Sequence, residues 1–156
     1  MATKFESESC SRCGGSGKYS FNQMDGDRCY GCRGTGYKLT KRGQAAYALY
    51  RQLLTRKVSD MAVGMQILTE IGAGSRKVWQ TITEIKPDTL NGQGRVILEL
   101  SRKGKHTQGF GMFESTEFMC CTGQADLDNA MVEALAYQAT LTKAGKPAKR
   151  ATKKEA

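Results

Sequence analysis

The chain has 156 residues, with 24 Lys and Arg against 15 Asp and Glu, 39% hydrophobic residues and six cysteines. That length suits one ordinary domain, or one domain with a small metal module and a tail, and excludes two full cores. The hydrophobic share is that of a globular chain and sets aside complete disorder, while 18 glycines point to many turns.

The N-terminus, Met1-Ala2-Thr3-Lys4-Phe5-Glu6, has no apolar run of the kind a secretory signal needs, and no window approaches the roughly 18 apolar residues of a membrane span. The expected compartment is the cytoplasm, where grouped cysteines more often hold metal or do redox chemistry than form structural disulfides. Charge is unevenly placed. Residues 1–57 carry 11 basic and four acidic side chains, residues 58–142 seven and ten, and residues 143–156 six and one. Basic ends around a slightly acidic middle predict a polyanionic partner, nucleic acid. A membrane is not expected, because neither basic segment has an aromatic and leucine-rich face that would insert.

In chain order, residues 8–38 come first as a glycine- and cysteine-rich module. Cys10-Ser-Arg-Cys13 and Cys29-Tyr-Gly-Cys32 are two C-x-x-C pairs fifteen residues apart. Each two-residue gap lets a tight turn place both sulfurs of a pair on one metal, and two pairs make the closed tetrahedral four-cysteine site that Zn2+ prefers. With no open coordination position, the ion is expected to act in folding and not in catalysis. Each pair continues alike, as Cys10-Ser-Arg-Cys13-Gly-Gly-Ser-Gly17 and Cys29-Tyr-Gly-Cys32-Arg-Gly-Thr-Gly36. Gly15, Gly17, Gly34 and Gly36 permit positive φ, so their N–H groups can turn towards the sulfurs.

Both repeats match C-x-x-C-x-G-x-G at every specified position, and residues 10–36 thereby resemble the cysteine-rich domain of DnaJ-type chaperones. In that family four repeats bind two zinc ions, so two repeats imply a single structural Zn2+ held by Cys10, Cys13, Cys29 and Cys32. A J domain needs a His-Pro-Asp triplet. The one histidine, His106, is followed by Thr107 and Gln108, so the resemblance implies no chaperone-stimulating activity. Half-sized modules of this kind look like those of small bacterial and phage zinc-finger proteins, which implies a nucleic-acid- or protein-binding role.

Residues 40–57 follow as a basic amphipathic helix, with Ala45, Ala46, Leu49, Tyr50, Leu53 and Leu54 at helical spacing among Lys41, Arg42, Arg51, Arg56 and Lys57. A second helix is predicted over 60–71 from Met61, Met65, Leu68 and Ile71, stopping at Gly72, with a hinge over 72–75. Strands are predicted over 76–86, ending at Pro87-Asp88, over 95–102, and over 106–113 after a tight Lys103-Gly104-Lys105 turn. Gly109 and Gly111 would weaken the last strand or mark a bulge. Trp79 and Phe110 are expected in the core. A helix over 126–142 has Asp126 as its cap, and residues 143–156 are too polar to bury a face and are expected to be a disordered basic tail. The expected fold class is α+β: a zinc-binding module over 8–38, then an α+β domain over 39–142 in which helices pack on a small antiparallel sheet, then the tail. The sheet and its helices could also provide a surface for homo-oligomer formation.

Cations and rings are interleaved over Lys18, Tyr19, Phe21, Arg28, Tyr30, Arg33, Tyr37, Lys38, Lys41 and Arg42. Cations there would neutralise phosphates and rings would stack on bases, unless the rings form the module's own small core. Lys146, Lys149, Arg150, Lys153 and Lys154 add a tail contact without sequence preference. Arg102, Lys103 and Lys105 read as an ordinary solvated turn. The expected function is zinc-containing nucleic-acid binding, DNA or RNA, with single strands slightly favoured. The alternative is an adaptor or inhibitor that docks on a protein partner through surface methionines such as Met61, Met65, Met112, Met119 and Met131. An enzyme ranks last: there is one histidine, no phosphate loop and no His-Glu-x-x-His, and Cys120-Cys121 has no basic neighbour to activate it.

Overall fold

The computed structural model describes residues 5–19, 26–71, 76–88, 95–102 and 105–147. Over them the protein is α+β, with two helices, a two-stranded ribbon and a six-stranded antiparallel sheet. The strands are β1 (Ser7–Ser9), β2 (Tyr37–Leu39), β3 (Thr55–Lys57), β4 (Gln66–Ile71), β5 (Arg76–Asp88), β6 (Arg95–Arg102), β7 (Lys105–Phe113) and β8 (Glu117–Cys121); the helices are α1 (Lys41–Leu54) and α2 (Gln124–Thr140). Among the described residues no helix is long and apolar enough to cross a membrane.

Two compact units form, Met1–Leu49 with Glu133–Ala156, and Tyr50–Val132. In the first unit the N-terminal segment is bound to both helices. The Glu6 N–H donates to Gln138 Oε1 at 3.0 Å, an Arg42 guanidinium N–H donates to the Gln138 carbonyl at 3.0 Å, and Arg42 Nε lies 3.4 Å from Glu6 Oε2. Thr40 caps α1, its hydroxyl accepting the Gly43 N–H at 3.1 Å. Phe5 is buried and meets Tyr47 edge-on, with ring centroids 5.7 Å apart.

Glycine inside a helix ordinarily costs about 1 kcal/mol relative to alanine, which would make Gly43→Ala stabilising. A Cβ at Gly43, however, would collide with the backbone carbonyl of Glu6. We expect Gly43→Ala to destabilise instead, by ~2 kcal/mol, seen as a lower thermal midpoint; a raised midpoint would show that the Glu6 segment gives way freely.

After α2, Leu141 is buried and pairs with Pro147, the Thr142 N–H donates to the Lys146 carbonyl at 2.8 Å, and Gly145 takes φ +72 against the Lys41 backbone. Residues 143–147, expected in a disordered tail, form a turn closed by the Thr142–Lys146 and Gly145–Thr142 backbone bonds, with Leu141 bridged to Pro147. Residues 148–156, the rest of that tail, lie outside the described residues.

In the second unit the strand order is β3-β8-β4-β5-β6-β7. One face buries Ile67, Ile82, Leu98, Leu100 and Cys120 with Val58 and Met61, and Met65, Met112 and Phe118 pack on them. The other gathers Leu54, Cys121 and Ala130, with Tyr50, Leu53, Trp79, Met119 and Leu127 packed around them. Gln80 is buried and donates through Nε2 to the Thr69 hydroxyl, so neither polar side chain is left unpaired.

Several expected elements differ here. The helix over 60–71 is instead a 3-10 turn, Val58–Asp60, followed by β4. Its helix-like spacing arose because β4 is covered on both faces, which erases polar alternation. Residues 55–57 form β3, paired with Glu117–Met119; α1 ends where the Thr55 hydroxyl donates to the Arg51 carbonyl at 2.7 Å. Strand β5 runs on through Pro87 to Asp88, which pair with Val96 and Arg95. The irregularity in the β6–β7 ladder falls at Leu100/Ser101, not at the glycines. Gly109 and Gly111 leave room for the Glu99 carboxylate and the Arg95 guanidinium. Helix α2 starts at Gln124, so Asp126 lies in its first turn and reaches back to the Thr122 N–H and hydroxyl, each at 2.7 Å. Those donors hold its carboxyl below the usual range. The 72–75 hinge and residues 103–104 lie outside the described residues, as do the side chains of His106 and Phe110.

Candidate metal centre and the basic surface around it

The two repeats fold alike, each residue of the first matched by one nineteen positions later. In the first, the Ser16 hydroxyl donates to the Cys13 carbonyl at 2.7 Å and the Lys18 carbonyl at 3.0 Å. In the second, the Thr35 hydroxyl donates to the Cys32 carbonyl at 2.7 Å and the Tyr37 carbonyl at 2.9 Å. The repeats are joined reciprocally: Cys10 N–H donates to the Gly36 carbonyl at 2.7 Å, and Cys29 N–H to the Gly17 carbonyl at 2.9 Å. This closeness requires glycine. A Cβ on Gly17 would strike the Gly34 carbonyl, and one on Gly36 the Gly15 carbonyl, and both residues have positive φ, +73 and +81.

Folding in this way brings the Sγ atoms of Cys10, Cys13, Cys29 and Cys32 within 4.8 Å of one another. Cys10 and Cys29 are 4.0 Å apart, and Cys13 and Cys32 3.7 Å. Four thiolates on one ion at about 2.3 Å would stand about 3.8 Å apart, close to the two shortest separations here, so these four could hold a metal ion. The expected N–H contacts to sulfur are present, with Gly36 N–H donating to Cys32 Sγ at 3.2 Å. Burial raises the Cys32 thiol, but the Gly36 N–H, the neighbouring thiols and the Gly34 N–H outweigh it and bring the pKa to about 6. Cys13 follows the same balance: burial raises it, and the N–H groups of Gly17 and Gly15 carry it below the ordinary value. Cys29 stays raised, chiefly by burial. Two of the four are thus drawn towards the thiolate form that a metal requires.

Cys120 and Cys121 lie elsewhere, buried in the sheet unit, with both thiols pushed up first by burial. The Arg56 guanidinium, from the paired strand β3, draws the Cys120 thiol back down but does not outweigh its burial.

Of the side chains expected to meet nucleic acid, Lys18, Arg28, Arg33, Lys38 and Lys41 are exposed in the first unit, as is Lys146. Tyr30 and Tyr37 keep 57% and 56% of their surface open. Tyr19 is half-buried and packs against the cysteines, so of these three rings it alone lines the module's core. Arg42 is half-buried, with its guanidinium donating to the Gln138 carbonyl and Nε 3.4 Å from Glu6 Oε2, which ties it to the interior of the unit. Phe21, Lys149, Arg150, Lys153 and Lys154 lie outside the described residues.

Sequence reasoning missed Arg12. Its guanidinium carbon lies 4.2 Å from the Tyr19 ring centroid and 3.7 Å from that of Tyr30. The available signal was the mismatch between the repeats, Ser11-Arg12 in one and Tyr30-Gly31 in the other.

Fold and site together define an α+β protein with a four-cysteine cluster able to hold a metal ion. Set against family models, curated proteins and solved structures, the chain matches none.

Proposed function

We propose that the chain is a zinc-containing nucleic-acid-binding protein with little sequence preference, its metal held structurally by Cys10, Cys13, Cys29 and Cys32 in a DnaJ-type module. Sulfur-only ligation and near-tetrahedral spacing favour zinc. The bound ion would supply folding energy and leave the contacts to the protein surface around it.

The observation that carries the binding reading is the exposure of Tyr30 and Tyr37 among Lys18, Arg28, Arg33 and Lys38. A module whose rings served only as its core would bury them; among the described rings of this stretch only Tyr19 packs against the cluster. Residues 5–19 and 26–49 carry seven basic and three acidic side chains, a balance suited to a phosphate backbone. The protein-docking alternative loses its main support, since Met61, Met65, Met112 and Met119 all pack into the sheet's two apolar layers.

The test is fluorescence anisotropy of the zinc-loaded protein against single-stranded DNA, duplex DNA and RNA of equal length across a salt series. We expect log affinity to fall linearly with log salt, and a chain lacking residues 146–156 to show a shallower slope. Absence of binding at low salt would discard the reading, and an unchanged slope would remove the tail from it.

A further inference from the structure

The cysteine module is built twice, and the ways in which its halves agree or differ separate two roles. Everything that shapes the metal cluster is duplicated: the C-x-x-C turns, the hydroxyl at Ser16 and Thr35, the reciprocal Cys10 and Cys29 amide bonds, and the close-packed Gly17 and Gly36. Arg12, Tyr19 and Tyr30 are not. Nineteen positions away they correspond to Gly31, Lys38 and Ser11. A group present in one half only is not required by the metal.

These three unduplicated side chains meet. The Arg12 guanidinium lies over both rings, 4.2 Å from the centroid of Tyr19 and 3.7 Å from that of Tyr30. Gly31 keeps the space open, since a Cβ there would come 3.3 Å from Arg12 Cδ and 3.6 Å from Cys10 Sγ. Tyr19 packs against the cysteines and so joins the stack to the cluster. Tyr30 is more than half exposed despite the guanidinium against it. Among the described residues no carboxylate pairs with Arg12. Stacking uses the guanidinium face and leaves its N–H edge free to donate.

We propose that Tyr30, backed by Arg12 and Tyr19, is a preformed platform for one unpaired base of a single-stranded polynucleotide, with the Arg12 N–H edge meeting the adjacent phosphate. This rests on the nucleic-acid reading above and names the substrate class for it. A ring already held in place loses little freedom on binding, and a stacked base contributes through its π-face whatever its identity. Duplex bases are already stacked on one another and offer no such face, so the platform distinguishes single strands from duplex.

The experiment uses the full zinc-loaded chain and an oligonucleotide carrying a central 2-aminopurine, whose fluorescence falls on stacking, with a duplex of the same sequence alongside. Tyr30→Ala is expected to retain one zinc per chain but to weaken single-strand binding about tenfold and abolish the quenching. Tyr30→Phe keeps both. Arg12→Lys keeps the charge and loses the planar stack, so it weakens single-strand binding while leaving duplex affinity unchanged. Single-strand binding and quenching that survive Tyr30→Ala would overturn the platform and leave general phosphate binding standing. Absence of binding by the unsubstituted protein to any polynucleotide would overturn both.

Discussion

Chelating the proposed metal, or replacing Cys32 by Ser, is expected to abolish the ordered structure of residues 10–19 and 26–36, and with it the proposed nucleic-acid binding. The reason is how little else holds the module. Among the described residues its interior is Cys10, Cys29 and Cys32, with Cys13 and Tyr19 packed against them. Fixing the 21 described backbone residues of this stretch costs on the order of tens of kcal/mol, far more than so few side chains return by leaving water. In the proposed zinc-bound protein, metal–thiolate bonds make up the difference. The sheet has apolar layers of its own and should keep its thermal transition. Zinc release monitored with a colorimetric chelator, alongside near-ultraviolet circular dichroism, checks this; an unchanged spectrum in the metal-free protein would contradict it. The pH dependence follows from the thiols. Cys32, with a pKa near 6, is already deprotonated at neutral pH, whereas the raised Cys29 must lose its proton on ligation. Uptake therefore releases protons, and apparent affinity falls as pH falls, most steeply once Cys32 also protonates near 6.

Gly36→Ala should be nearly as damaging without touching a ligand. Alanine there pays for positive φ, about 1–2 kcal/mol, and also drives a methyl into the Gly15 carbonyl, for a total of ~3 kcal/mol or more. Gly14→Ala separates the two effects. Gly14 has φ +59 but nothing within 4 Å of its would-be Cβ. Its counterpart Arg33 carries a full side chain at φ 53, so Gly14→Ala should cost only about 1 kcal/mol. Chelator titrations of the two variants measure the difference, and equal sensitivity would show that the close approach of the repeats contributes nothing.

The cluster was legible because ligation and spacing are local. C-x-x-C and the glycines after it determine turn geometry within eight residues, and the Gly36 contact to Cys32 follows from that short range. Strands β5 and β6 were legible for a similar reason: Arg76–Asp88 and Arg95–Arg102 are rich in β-branched residues. Elements whose surroundings are supplied from far along the chain were not. β4 lies between apolar layers on both faces, so Ile67 and Leu68 are both covered and the alternation of a half-buried strand is absent. β3 and β8 are short, and each is defined by the other through the Thr55–Met119 register. Arg42 looked like a free cation because Gln138, its partner, lies 96 positions away. Arg12 was passed over for the same reason, its two tyrosines coming from different segments.

The reciprocal bonds between the repeats bear on what may be rearranged in this chain. Cys10 depends on Gly36 and Cys29 on Gly17, Lys18 bridges Arg28 and the Tyr19 N–H donates to the Asp27 carbonyl, so the connection from one half to the other runs, as a tether, between Tyr19 and Asp27. Lengthening that tether beyond Tyr19 and Asp27 should be inexpensive, about 0.6 kcal/mol for each doubling. Reversing the order of the halves by circular permutation would leave every ligand and amide bond in place. A lone half, by contrast, would keep two sulfurs and expose the amide and carbonyl that its missing twin had satisfied. The pair, in either order, is the smallest piece of this protein that brings all four sulfurs together.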